Sequence, residues 1–146
     1  MNIEFKKTSP ERVSEVLELL TLANLPTLDI GENVELFSLE TNEEIIGTAG
    51  LEIIGQMALL RSVCVVKSQK NSGYGYFIVQ NLEEYAKAQK IKELYLLTTT
   101  AKEFFEKKCN YEVVERANVP TEIQNSQQFT SVCPSSAVVM KKVIEY

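Results

Sequence analysis

Apolar and polar residues change rhythm several times along the chain, and each change marks an expected element. Residues 2–7 alternate weakly, as a half-buried strand does. Ser9-Pro10-Glu11 has the signature of a helix start, with Ser9 as N-cap and Pro10 at the first helical position. Val13, Val16, Leu17 and Leu20 then recur at helical spacing and predict one apolar stripe. Leu25-Pro26 is the expected stop, because the residue before proline avoids helical dihedrals. Residues 34–40, 45–54 and 57–66 read as three strands. Their short links, Thr41-Asn42-Glu43-Glu44 and Gly55-Gln56, imply an antiparallel meander.

The rhythm then turns helical from Tyr76 to Gln89, with Ile78, Leu82, Tyr85 and Ala86 on one face. Ile91 to Leu97 is nearly continuous in apolar residues, which fits a strand buried on both faces. Thr100 and Glu103 have capping-box spacing for a short helix carrying Phe104 and Phe105. That helix should stop near Asn110, a residue that tolerates the left-handed conformation. Strands are expected at about Tyr111–Glu115 and Ala137–Ile144, and Asn118–Ser136 reads as a functional loop or short helix. The elements sum to a mixed α/β sheet of about six to seven strands, mostly antiparallel and flanked by helices. It forms one domain over residues 1–146.

Composition narrows the chemistry. Twenty acidic and fifteen basic residues give a net charge of -5 with no basic run. That balance disfavours nucleic acid and anionic membranes as partners. There is no histidine, so Ser-His and Cys-His nucleophile systems and the commonest zinc ligand are excluded. Cys64, Cys109 and Cys133 are too few and too scattered for a disulfide framework or a CxxC metal site, and no metal is expected. The N-terminal stretch lacks a signal-peptide pattern and no apolar run reaches membrane-spanning length, which together predict a cytoplasmic protein.

The informative segment is Leu60 to Gly75. An apolar strand feeds a polar, glycine-bearing loop, Lys67 to Gly75, that opens directly into a helix. A helix N-terminus presents unpaired N–H groups and the positive end of the dipole, and glycine lets backbone approach an anion. Gly73 and Gly75 could equally be needed only for the turn. A P-loop is excluded because Tyr76-Phe77 stands where Lys-Ser/Thr is required. A Rossmann fingerprint is excluded because Ile78 occupies its third small position.

Leu60 to Gly75 resembles the acetyl-CoA motif of the GNAT superfamily, an apolar strand followed by Arg/Gln-x-x-Gly-x-Gly/Ala. Lys70 stands at the Arg/Gln position, and Gly73 and Gly75 at the small positions. The order of elements matches that fold over nearly the whole chain. The resemblance implies a splay after the fourth strand, with the pantetheine arm of acetyl-CoA lying beside Val63, Cys64 and Val65. It implies a pyrophosphate held by the amides of Lys70, Asn71, Ser72, Gly73, Tyr74 and Gly75, and an oxyanion donor in the Val65 N–H. Thr98-Thr99-Thr100-Ala101-Lys102-Glu103-Phe104-Phe105 resembles the family's Asn-x-x-Ala-x-x-Phe-Tyr segment, which adds Thr98 and Phe105 to the cofactor site. Thr98 replaces the Asn. Phe105 stands where many members have the Tyr that protonates the leaving thiolate, and one residue is inserted after it. Tyr111 or a water then remains as the acid, or CoA leaves unaided.

A finer resemblance covers Leu51-Glu52, Ala58 to Ser62, Leu96 to Thr100 and Val132 to Met140, which look like the subgroup labelled arsenic-resistance N-acetyltransferases. The Arg61-Ser62 and Leu97-Thr98-Thr99 pieces are similar to the acetyltransferase domain of N-acetylglutamate synthases. The implied function is acetyl transfer from acetyl-CoA to a small amine, with a homodimer as the analogy for assembly. A non-catalytic acyl-CoA-binding module and an N-acetylglutamate synthase-like enzyme stay open. Without histidine, a carboxylate is the natural base, and Glu52, which interrupts an apolar strand, is the candidate. Arg61 is the candidate clamp for an acceptor carboxylate. The plainer readings are a solvent-facing Glu52 and a structural ion pair between the two. The arsenic likeness suggests three converging thiolates, although buried cysteines usually act as small hydrophobes.

Overall fold

The computed structural model describes residues 3–25, 27, 30–31, 33–66, 73–126 and 137–144. Seven strands form one sheet: β1 (Ile3–Lys7), β2 (Glu35–Thr41), β3 (Glu44–Ile54), β4 (Met57–Val65), β5 (Glu93–Thr98), β6 (Glu112–Val114) and β7 (Val138–Val143). Their spatial order is β1-β2-β3-β4-β5-β7-β6. Every pair is antiparallel except β4–β5, which is parallel. The expected mixed α/β sheet is therefore present.

The helices end where local chemistry ends them. α1 (Val13–Leu22) follows a 3₁₀ turn at Pro10–Arg12, with Ser9 as N-cap and no side-chain cap bond. α1 stops before the expected Leu25-Pro26. Asn24 takes a left-handed φ of 60°, and the Leu25 N–H reaches back to the Leu20 carbonyl at 2.9 Å. That six-to-one closure satisfies a terminal carbonyl, so the helix needs no proline to end it. α2 (Tyr74–Ala88) closes the same way, with Lys90 at φ 65° and Ile91 N–H on Ala86 at 3.0 Å. α3 (Thr121–Gln124) is a single turn within the expected loop or short helix, whose residues 127–136 lie outside the described part.

The β2–β3 link has Asn42 and Glu43 both left-handed, the two-residue turn that matches strand twist. On one face of the sheet α2 lays Ile78, Val79, Leu82 and Ala86 over Phe37, Leu39, Leu51, Leu60 and Leu96. The packing is tight at Gly47, where a Cβ would stand 2.6 Å from Ile78 Cδ1. The other face carries two patches. Val16 and Leu20 of α1 cover Val34, Leu36 and Ile45, while Val119 and Ile123 cover Leu59, Tyr95 and Val139.

Two expectations on the Thr98–Asn110 segment are revised. The Ala101 N–H goes to Thr98 Oγ1 at 2.9 Å, so the first turn is held by Thr98 and not by a Thr100–Glu103 box. Phe104–Lys108 is π-helical, a form that absorbs one extra residue per turn, as the insertion noted after Phe105 requires. Asn110 is left-handed at φ 64°, as expected for the stop.

Candidate active site

The site begins with a defect in a ladder. β3 and β4 pair regularly from Ile54↔Met57 to Gly50↔Arg61, then shift register before Thr48↔Cys64. The extra residue on β4 is accommodated around Ser62, which takes a left-handed φ of 58°. A bulge of this kind bends its strand and increases local twist. Thr48 Oγ1 fixes it by donating to the Ser62 carbonyl at 2.8 Å. β4 consequently leaves β5. The two strands pair only over Met57–Leu59 and Glu93–Tyr95, and then diverge.

Beyond the bulge, backbone polarity is set by alternation. The Val66 N–H donates to the Ile46 carbonyl at 2.9 Å, so Val66 faces β3. In an antiparallel ladder successive residues turn their polar groups to opposite sides. Val65 and Val63 therefore turn theirs toward the gap. Between the strands lies a cavity of about 120 Å³, walled by Leu60, Arg61, Ser62 and Val63 on one side and by Leu96, Leu97 and Thr98 on the other. Thr100, Ala101, Phe105 and Leu25, the last just past α1, complete the lining.

Arg61 and Glu52 stand together on the sheet face opposite α2. The Arg61 side chain is 1% exposed and that of Glu52 12%. Glu52 is thus buried and not solvent-facing. Its Oε1 lies 3.9 Å from Arg61 Nη1 and has no hydrogen-bond partner. Gly50 makes room for this arrangement, since a Cβ there would come within 3.2 Å of Arg61 Cγ. Arg61 Nε also donates to Ser62 Oγ at 3.4 Å. The pair is an open one: charges held close, with a carboxylate oxygen still able to accept a proton or a donor.

At the far end of β4, Gly73 is the left-handed N-cap of α2 with φ 81°. Tyr74 and Gly75 form the first helical turn, two residues earlier than the periodicity predicts. A Cβ at Gly75 would stand 3.4 Å from Phe104 Cζ, so this glycine also makes room for an aromatic ring. Lys70, Asn71, Ser72 and Cys133 lie outside the described residues.

The structure thus brings Arg61, Val63, Thr98 and Phe105 to one cavity, with Glu52 beside Arg61. Cys64 turns away, into the α1 patch, while Cys109 is buried under α2 on the opposite face. These two thiols do not converge. Tyr111 is also displaced from its expected role. Its hydroxyl is buried beside Glu83 of α2, and burial followed by that carboxylate pushes it well above the usual tyrosine range. It does not line the cleft. Leu25 and Thr100 were missed as wall residues; their only signal was position at element ends. A larger groove of about 470 Å³ between β1, α1 and β2 holds none of the expected site residues. Its polar wall is mainly the Lys7–Glu35 ion pair at 2.7 Å.

Comparison with known proteins agrees with this layout. Residues 4–111 match the acetyltransferase (GNAT) family. The chain belongs to that family and is an acyltransferase. No curated protein matches the sequence. Among solved structures, N-acetylglutamate synthase from Neisseria gonorrhoeae, complexed with coenzyme A and N-acetyl-glutamate, aligns with a TM-score of 0.82 at 12% identity. That alignment covers 100% of this chain but only 36% of the synthase chain. A GNAT acetyltransferase from Staphylococcus aureus Mu50 aligns at 0.76 with 18% identity, covering 99% of this chain and 100% of its own. The PaiA N-acetyltransferase of Thermoplasma acidophilum, in complex with coenzyme A, aligns at 0.70 with 15% identity, covering 99% of this chain and 100% of its own. No helix among the described residues is long and apolar enough to cross a membrane.

Proposed function

We propose that the protein transfers the acetyl group of acetyl-CoA to the amine of a small acceptor that carries a carboxylate, such as an amino acid or an analogue. The observation that carries this reading is the buried, open Glu52–Arg61 pair at the edge of the β4–β5 gap. Acetyl-CoA, when bound, supplies an activated thioester. The gap offers an apolar channel edged by the backbone groups of Val63 and Val65, and the N-terminus of α2 offers donors suited to a pyrophosphate. Thr98 and Phe105 wall the same channel. The residues present therefore fit the cosubstrate.

Within this reading Arg61 orients the acceptor by its carboxylate, and Glu52 takes the proton from its ammonium, directly or through water. The Val65 N–H meets negative charge that develops on the acetyl oxygen. Phe105 has no proton to give, so the departing sulfur is protonated by water. The finer likeness to arsenic-resistance N-acetyltransferases rests on the segments quoted above and names no acceptor. A homodimer and a cytoplasmic location belong to this same proposal.

The test is release of free CoA from acetyl-CoA across a panel of amino acids and of amines that lack a carboxylate. Turnover confined to carboxylate-bearing amines, and lost in Arg61→Met, is the expected result. Tight acetyl-CoA binding with no turnover on any amine would favour the non-catalytic module instead.

A further inference from the structure

Behind the cleft lies a buried polar cluster that the proposed chemistry does not use. Lys142 of β7 donates to Glu83 Oε1 of α2 at 2.9 Å and to the Cys109 carbonyl at 2.9 Å. Its ammonium also stands 5.6 Å above the Tyr111 ring. Glu83 Oε2 and the Tyr111 hydroxyl are both buried without a hydrogen-bond partner. The side chains of Lys142 and Glu83 are only 22% and 13% exposed. Burying an ion pair between a helix and a strand is a weak route to stability, because desolvation offsets most of the attraction.

The geometry suggests what the cluster holds. Cys109 directly follows the π-helical turn Phe104–Lys108, and its carbonyl is one of the terminal groups that a helix leaves unsatisfied. A lysine near a helix C-terminus also complements the dipole. Tyr111 continues the tether: its N–H donates to the Phe105 carbonyl at 3.0 Å, and its ring meets Phe105 edge-on at 5.5 Å. The turn touches the cleft region at two points. Phe105 walls the cavity, and Phe104 lies against Gly75 in the first turn of α2.

We propose that Lys142 is a positioning residue, which grips the π-helical turn from behind through the Cys109 carbonyl and Glu83 and so sets the Phe104–Phe105 wall of the cofactor cleft. This rests on the reading that the cleft takes acetyl-CoA. Lys142 does not line the cleft cavity. Its effect is expected in affinity for acetyl-CoA and not in acceptor selection.

The experiment compares acetyl-CoA affinity and melting temperature in the wild type, Lys142→Met, Lys142→Arg and the double variant Glu83→Leu/Lys142→Met. Lys142→Met should weaken acetyl-CoA binding by about tenfold, the scale on which a loosened supporting shell acts. Lys142→Arg keeps the donor and should stay near wild type. The double variant replaces the ion pair by apolar groups, which restores stability but not the grip on Cys109. It should regain the melting temperature and keep the weakened binding, and it carries the test even if Lys142→Met fails to fold. Wild-type affinity in the double variant would overturn the proposal, because the cluster would then be structural only. Absence of acetyl-CoA binding by the wild type would overturn the functional reading and this proposal with it.

Discussion

The two ends of the β4–β5 pair are built from similar apolar runs and behave in opposite ways. At one end Met57–Leu59 hydrogen-bonds to Glu93–Tyr95, and Leu59 and Tyr95 disappear under Val119 and Ile123. At the other end Arg61–Val65 follows β3 around a bulge, Leu96–Thr98 follows β7, and a cavity opens between them. The closed end is a core. The open end leaves backbone polar groups without a strand partner and holds two buried charges. Such features lower stability and are retained where a ligand completes them.

Substitutions at the two ends should therefore fail in different currencies. The largest effect is expected for Glu52→Gln, which removes the proton acceptor. Its kcat should fall by about 10²–10⁴-fold, the usual contribution of a general base, while acetyl-CoA still binds. Steady-state rates against acetyl-CoA titration separate the two terms. At the closed end, Leu59→Ala deletes a fully buried side chain and should cost about 3 kcal/mol of unfolding free energy. Chemical denaturation measures that loss, and the folded fraction should keep its kcat.

The bulge itself sharpens the contrast. Ser62→Val puts a β-branched side chain at positive φ and should destabilise by about 2 kcal/mol. Ser62→Gly, free of that strain, should stay within about 1 kcal/mol of wild type. Equal melting temperatures for the two variants would mean that Ser62 is not left-handed in solution.

A different kind of effect is a pH slope set behind the open end. Burial, then the Glu83 carboxylate, pushes the Cys109 thiol from 9.0 up to about 11. Between about pH 9 and 11 the folded chain keeps a proton that the unfolded chain has lost. This stabilisation is fully present below pH 9 and is lost as pH rises through the window, at up to about 1.4 kcal/mol per pH unit. The measurement is unfolding free energy against pH, and Cys109→Ala should flatten the slope.

Much of this was legible locally. The hydrophobic period of α2, the meander of β2 to β4 and the left-handed stop at Asn110 each follow from a few neighbouring residues. The glycine-bearing entrance to α2 was legible as a motif. What the sequence hid is nonlocal. Arg61-Ser62-Val63 contains no glycine or asparagine to announce a left-handed residue, and the bulge depends on Thr48 and Gly50 across the ladder. The end of α1 was misplaced because proline is a louder signal than Asn24. Tyr111 was eligible as an acid by position, but its hydroxyl is buried beside Glu83 and its ring lies under Lys142, both distant in the chain.

The most direct test of the open end as a cosubstrate cleft is a thermal-shift titration with acetyl-CoA, run beside free CoA and NADH. A ligand that binds only the folded state stabilises it by about 2.7 kcal/mol at a hundred times its Kd. Saturable stabilisation by acetyl-CoA, with none by NADH, is the expected result. No shift by acetyl-CoA or CoA at millimolar concentration would contradict it.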